Sequence, residues 1–466
     1  MLELAADLLP LRGRRFDFSA DRSVGGGYAA SVLARLGADV CQTAPGDGVD
    51  AALAWAECGL MMLCGEDGER PRQGPGAIPS CARGVLRALG MLAPTSALQS
   101  LDGARLLTER AALLGLSAQG RVSPNLGCHL LASKDGWIAL NLAREQDWAL
   151  LPAWLQTTVP PIDWPGVEGQ VRGWQTQSLV ERGRLLGLPV AAAQPAEVTN
   201  EPWLRIHRAG KPRAMSVSSR PLVVDLSSLW AGPLCGHLLL QAGARVIKVE
   251  SVRRLDGARG GNAEFFNVLN ADKESVAFDL SSAAGQRQLL CLLQRADIVI
   301  EGSRPRALLQ MGIDAQELVS AKPGLVWLGI SAYGRAEPAA NWVGFGDDVA
   351  VSAGVATACA DPPIFCGDAL ADPLTGMHAA LVALAFWQAG EGALIDLSLR
   401  NVTAHCLNYR RDIPRGVVVR DGQYWLLDAE GFAARICAPE QRLTEHCAAE
   451  AGTDTQAVLR EFAIQC

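Results

Sequence analysis

The sequence is poor in the patterns that announce metal, redox or membrane chemistry. Its six histidines, His129, His207, His237, His378, His405 and His446, stand far apart, and none falls in a ligand spacing such as HExxH. The neighbours His405-Cys406 and His446-Cys447 are read as incidental, so no metal site is expected. Thirteen cysteines contain no CxxC pair and no regular framework, which excludes a disulfide scaffold and points to free thiols in a reducing cytoplasm. Long apolar runs are missing: 379–387 is too short to cross a bilayer, and 51–64 is broken by Glu57. The opening MLELAADLLPLRGRR has its acidic and basic residues in the wrong order for a signal peptide. An excess of positive charge is also missing. A net charge of -7 leaves no footprint for nucleic acid or an anionic membrane, so the expected partners are small molecules.

What is present is an ordinary globular composition, 49% hydrophobic and 20% charged, in a 466-residue chain. That length suits about three domain-sized units. From 221 onward, strand-like and helix-like segments alternate: LVVDL, PLCGHLLLQAG, RVIKVE, SVAFDL, SAAGQRQLLCLLQRA, DIVIE, ALLQMG and LVWLGIS. Continuous apolar strands between amphipathic helices imply a parallel sheet covered on both faces, a doubly wound α/β domain. A dinucleotide site would need GxGxxG at the first strand-to-helix turn. The turn Leu229-Trp230-Ala231-Gly232-Pro233-Leu234-Cys235-Gly236 has two glycines and puts Trp230 where a pyrophosphate would lie. Glu250, at the next strand tip, reads as a solvated residue.

The first half echoes the second. GGGYAASVLARLGADV (25–40) lies on AGPLCGHLLLQAGARV (231–246) without a gap. Further on, 58–93 resembles 352–385, with Gly84 aligned on Gly376. The chain reads as a duplication whose first copy has lost its middle strands. Between the copies, SKDGWIALNLAREQDWALLPAWL (133–155) has a turn, a strand pattern and a Trp-rich helix pattern, broken after by PPIDWPGVEG. The expected organisation is a degenerate copy over 1–125, a small α+β domain over 126–207, a linker over 208–220 and a complete α/β domain over 221–466.

The ordered series DLSSLWAGPLCGHLLLQAGARVIKVES, NADKESVAFDLSSAAGQRQLLCLLQRADIVIEGSRPRALLQMGI, GLVWLGISAYGRAEP and GDALADPLTGMHAALVALAFW resembles the family III CoA transferases, a group that includes formyl-CoA and carnitine CoA transferases and is homologous to the α-methylacyl-CoA racemases. The resemblance covers about 215 to 400, and the intermediate segments 133–155 and 179–198 resemble the family's small domain, here placed ahead of the complete half instead of after it. It implies a doubly wound, Rossmann-like parallel-sheet α/β domain with a smaller α+β domain. It also implies an interlocked homodimer, acyl-CoA and carboxylic acid substrates, and no cofactor other than coenzyme A itself as substrate.

In the family one aspartate attacks the acyl-CoA thioester, and on this sequence the matching residue is Asp372 of ADPLTGMHAAL. Asp-Pro followed by apolar Leu374, Met377, Ala380 and Leu381 predicts Asp372 as N-cap and Pro373 at the first helical position, with the carboxylate ionised by the helix dipole. In the first copy the aligned residue is Ser80, and Lys248-Val249-Glu250 is matched by Gln42-Thr43-Ala44, so that copy is expected to be scaffold. The resemblance carries coenzyme A contacts to Leu229, Trp230, Ala231, Gly302, Ser303, Arg304 and Met311. Arg253, Arg254, Arg259 and Arg306 are substitutes for family arginines replaced here by Ser251 and Gln310. They are either phosphate contacts or a solvated surface. Two alternatives stand beside CoA transfer. A racemase would need an acid/base histidine where Phe345 stands, and His378 reads as a packed residue; a non-catalytic subunit would fit the degenerate copy and the missing arginines.

Overall fold

The computed structural model describes residues 8–43, 49–195, 202–213, 220–410, 415–427 and 433–465. The chain opens with a parallel unit, β1 (Arg15–Phe18), α1 (Val24–Arg35) and β2 (Asp39–Gln42). Ser23 starts α1 by accepting the Gly26 N–H, the usual service of a serine N-cap. The next long helix, α2 (Ile78–Leu92), packs across α1.

A small antiparallel sheet follows, with β3 (Cys128–Ala132), β4 (Trp137–Asn141) and β5 (Val190–Ala192) side by side. Its own core holds Ile138, Leu140, Trp154, Val167, Leu179 and Val190. The buried Trp154 indole N–H is satisfied by the Leu179 carbonyl at 2.8 Å.

The large sheet has seven strands: β6 (Arg205–Ala209), β7 (Leu222–Asp225), β8 (Arg245–Ser251), β9 (Glu274–Phe278), β10 (Ile298–Glu301), β11 (Val326–Ser331) and β12 (Ala393–Ser398). In space they run β6-β12-β11-β10-β7-β8-β9. All neighbours are parallel except β6, which lies antiparallel against β12. Helices α3 (Ala231–Gln241), α4 (Gly346–Ser352) and α5 (Ala371–Ala389) gather on one face, while 283–293, 315–321 and 455–461 cover the other. This is the expected doubly wound arrangement, and the apolar strands are apolar because both faces are covered.

The linker expected over 208–220 is corrected at its start. Residues 205–209 form an edge strand paired with Ala393–Asp396, so the α/β sheet takes in residues that had been assigned to the small domain. An edge strand needs only one partner and can keep polar side chains, and the sequence RIHRA therefore carries no strand alternation to read.

Helix α5 is buried on almost every side and correspondingly apolar all round. It packs on α3 from its own half and on α2 from the first. Both crossings between helix pairs depend on a glycine. A Cβ at Gly376 would lie 2.5 Å from the Ala231 carbonyl oxygen and 3.2 Å from Leu234 Cβ; one at Gly84 would lie 2.5 Å from the Gly25 oxygen and 2.9 Å from Tyr28 Cβ. Gly25 and Tyr28 are the residues that the sequence aligns with Ala231 and Leu234. The α1/α2 pair thus repeats the α3/α5 pair down to the atom that forbids a side chain. Gly84→Ala and Gly376→Ala should each lower stability by about 2 kcal/mol or more through overpacking. Gly90→Ala, whose Cβ meets nothing within 4 Å in the same α2 helix, should raise it by about 0.5–1 kcal/mol. Urea unfolding of the three variants measures this.

Candidate active site

Strand order reverses between β7 and β10, and at such a point the loops leaving the two strands diverge and open a crevice at their carboxyl ends. The loop after β7 carries Leu229, Trp230 and Ala231; the loop after β10 carries Gly302, Ser303 and Arg304. The loops touch, since a Cβ at Gly302 would lie 3.2 Å from Ser227 Cβ. Leu229 is exposed and left-handed at φ 68°, held there by its N–H donating to Asp256 Oδ1 at 3.0 Å. Asp256 is in turn fixed by Lys248 Nζ at 2.8 Å. Trp230 is buried, and its indole N–H has no partner among the described residues. Ala231 begins α3 and points its N–H at Asp372.

Helix α5 begins earlier than the Asp-Pro pattern predicts. Its N-cap is Leu370, so Asp372 is the second helical residue and Pro373 the third. The cause is the preceding turn, with Gly367 at φ 81° and Ala369 at φ 44°. The Ala369 N–H donates to Asp347 Oδ1 at 2.7 Å, and the Asp372 N–H donates to the Ala369 oxygen at 3.0 Å. The Asp372 carboxyl therefore does not cap its own helix but faces the Ala231 N–H of α3, which favours its ionised form. Gly346 leaves it room, because a Cβ there would collide with Asp372 Oδ2.

Asp372 sits among acids. Asp347 and Asp348 open α4, and Asp368 lies on the turn before α5. Asp368 is fully buried and bound bidentately by Arg110, Nε to Oδ2 at 2.7 Å and Nη2 to Oδ1 at 2.6 Å. The same guanidinium lies 4.9 Å above the Trp230 ring and 5.9 Å from that of Phe265. The Asn125 amide donates at 2.7 Å to both Asp347 Oδ2 and Asp368 Oδ1. Burial pushes the Asp372 carboxyl up to about 7; Arg110 opposes the rise, and the charges of Asp347 and Asp368 add to it. Burial and Asp368 push Asp347 up to about 6. Burial raises Asp348 to about 8, although its carboxyl accepts the Phe345 N–H at 2.9 Å. The expectation of an ionised, dipole-stabilised Asp372 is thus corrected: burial and the neighbouring acids hold its carboxyl up at about 7.

The first copy is more than scaffold, because it supplies Arg110. The sequence carried no sign of this pairing across 258 positions. The acids could have been noticed, since carboxyls within the apolar runs GFGDDVAV and CGDALADPL must be paired or neutral when buried. Glu250 is also corrected: it is buried and clamped by Arg259 at 2.6 Å, which commits that arginine to a structural pair. Arg253 reaches Asp279 at 3.2 Å on the surface. Arg254, Arg304 and Arg306 are exposed, and together with Arg144 form a positive group in which Arg304 is lowered by partial burial and then by its three like-charged neighbours. Arg144 lies 5.7 Å from the Phe345 ring, so the group borders the Asp372 crevice. Met311 packs in the cluster of Leu308, Ile313 and Trp327 on the far face of the sheet, and is not brought to Asp372. His378 is packed as expected, bonded to the Leu374 oxygen and to the Tyr28 hydroxyl, both at 2.7 Å.

Together these features define a doubly wound α/β domain with a proton-holding carboxyl at its switch-point crevice. Residues 221–411 match the family model of CoA-transferase family III. An acyl-CoA transferase of Fusarium pseudograminearum is 30% identical over 199 residues, 38% of this chain and 44% of the relative. A succinyl-CoA–D-citramalate CoA-transferase of Chloroflexus aurantiacus is 33% identical over 198 residues, 39% of this chain and 49% of the relative. A succinate–glutarate CoA-transferase of Agrobacterium fabrum is 30% identical over 207 residues, covering 40% and 51%. The chain spans about half the length of these curated relatives.

A raised aspartate is a stability statement. Between the pH at which an unfolded aspartate ionises and about 7, the folded chain holds the extra proton at Asp372, so stability falls as pH rises through that window. Asp372→Asn should therefore be more stable than wild type by roughly 1–3 kcal/mol above pH ~8, with the difference vanishing near pH ~4. Denaturant unfolding across pH checks it.

Proposed function

We propose that the protein is a CoA transferase, moving CoA from an acyl-CoA to a carboxylic acid through a covalent intermediate on Asp372. The observation that carries this reading is the buried Asp372 carboxyl, raised to about 7, at the switch-point crevice of a domain that matches the family III model. A carboxyl near neutrality is available as a nucleophile while keeping more basicity than an ordinary surface aspartate.

In the proposed course, ionised Asp372 attacks the thioester carbonyl, the C–S bond breaks, and CoA leaves as thiolate with a mixed anhydride formed on the aspartate. The thiolate returns to the aspartyl carbonyl, releasing the donor acid and leaving an aspartyl-CoA thioester. The acceptor carboxylate then attacks that thioester, and the thiolate attacks the acceptor's acyl carbon in the resulting anhydride, freeing Asp372. The Ala231 N–H faces the Asp372 carboxyl and would hold its oxygen as charge moves. Arg254, Arg304 and Arg306 offer point charges for the CoA phosphates, which tolerate shifted positions. A racemase needs a second acid/base group beside the α-carbon, and Phe345 provides none.

No described helix is long and apolar enough to cross a membrane. The reading includes a cytoplasmic homodimer that needs no cofactor beyond its CoA substrate. Incubation with a panel of acyl-CoAs followed by borohydride or hydroxylamine trapping should leave a mass change on wild type that maps to Asp372 and is absent in Asp372→Asn. No adduct from any donor, with no CoA binding by calorimetry, would favour a non-catalytic subunit.

A further inference from the structure

Away from the acids, three thiols of distant sequence converge. Cys64 Sγ lies 3.0 Å from Cys366 Sγ, and the Cys359 thiol lies near enough to both to act on their proton affinities. Cys64 and Cys366 face each other in an isolated antiparallel bridge, with the Gly367 N–H donating to the Leu63 oxygen at 3.1 Å. That bond places them as a non-hydrogen-bonded pair, for which Cα atoms are about 4.5 Å apart, within the span that a disulfide bridges. Cys64 and Cys366 are buried, whereas Cys359 is partly exposed and lines a cleft of about 650 Å³ with Arg70, Arg72, Arg415 and Tyr424.

We infer that Cys359, Cys366 and Cys64 form a thiol oxidation site for hydroperoxides, in which Cys359 is attacked from the cleft and the resulting disulfide is passed inward to join Cys64 to Cys366. The neighbouring Cys366 thiol and the charge of Arg72 hold the Cys359 thiol below its ordinary value, while Cys366, set between two thiols and buried, is held above it. Cys359 thiolate attacks a peroxide oxygen, the O–O bond breaks, hydroxide or alkoxide leaves, and Cys359 becomes a sulfenic acid; the peroxide is reduced by two electrons. Cys366 sulfur attacks the Cys359 sulfur, the S–O bond breaks, and the oxygen leaves as water with the thiol proton. Cys64 then exchanges with Cys366, and Cys359 is released as a thiol. The final cross-link ties the two halves of the chain together two residues before Asp368, and so at the turn that carries Arg110's partner and leads to Asp372.

The test is peroxide treatment of the full chain, alkylation of remaining thiols, and peptide mapping without reductant. Wild type should give a Cys64–Cys366 cross-linked peptide with the loss of two hydrogens, reversed by a thiol reductant. Cys64→Ser should stop at a Cys359–Cys366 cross-link. Cys359→Ser should slow formation of any cross-link at Cys366 by about tenfold or more. Cys366→Ala, a small apolar replacement, should leave sulfenic or sulfinic acid on Cys359. The proposal is overturned if wild type keeps all three thiols reduced while exposed Cys41 and Cys291 oxidise, or if Cys359→Ser forms the Cys64–Cys366 bond at the wild-type rate.

Discussion

One guanidinium organises the site. Arg110 binds the fully buried Asp368 with both prongs of its fork, stands against Trp230, and acts on Asp347 and Asp372 at longer range. A buried carboxylate without such a partner would have to take up a proton. With one cation among four acids, the negative charge cannot be fully compensated, and the surplus appears as raised proton affinity at Asp347, Asp348 and Asp372. The chemistry proposed for Asp372 depends on that shortage: enough positive charge to let it ionise near neutrality, too little to leave it an ordinary weak base.

Because Arg110 comes from the first half and Asp368 from the second, the site exists only if the halves are docked in one register. The shared core supplies that register. Helix α5 lies between α2 and α3, and Gly84 and Gly376 let each helix pair approach until backbone meets backbone. Tyr28 of the first half bonds His378 of the second inside this core. Packing at such distances has few alternatives, so it fixes where the loop bearing Arg110 arrives. Charge balance at Asp372 is thus a consequence of helix packing far from it.

Much of this was legible in the sequence, for identifiable reasons. The strands β7 to β11 are continuous apolar runs bounded by turns, and the parallel sheet follows from them. The internal match of Gly84 with Gly376 is visible in the sequence as part of a duplication; the repeated helix crossing it marks is visible only in the structure, where backbone oxygen approaches each glycine. Asp372 was legible through its ordered surroundings. Its ionisation was not, because Asp-Pro reads as a cap and the turn at Gly367 and Ala369 begins the helix two residues early. Nor was Arg110, an arginine in TERAALLGL whose partner is on the other half of the chain. Long-range ion pairs leave no local pattern. Edge strand β6 was missed for a related reason: its pairing satisfies only the backbone.

The most direct measurement is the titration of the Asp372 carboxyl itself, by carbon NMR of the protein labelled at aspartate carboxyls, assigned with Asp372→Asn and repeated in Arg110→Met. The account predicts a midpoint near 7 in the wild type, displaced upward when Arg110 is removed. A midpoint close to 4, the ordinary value for an aspartate, and unmoved by loss of Arg110, would contradict it.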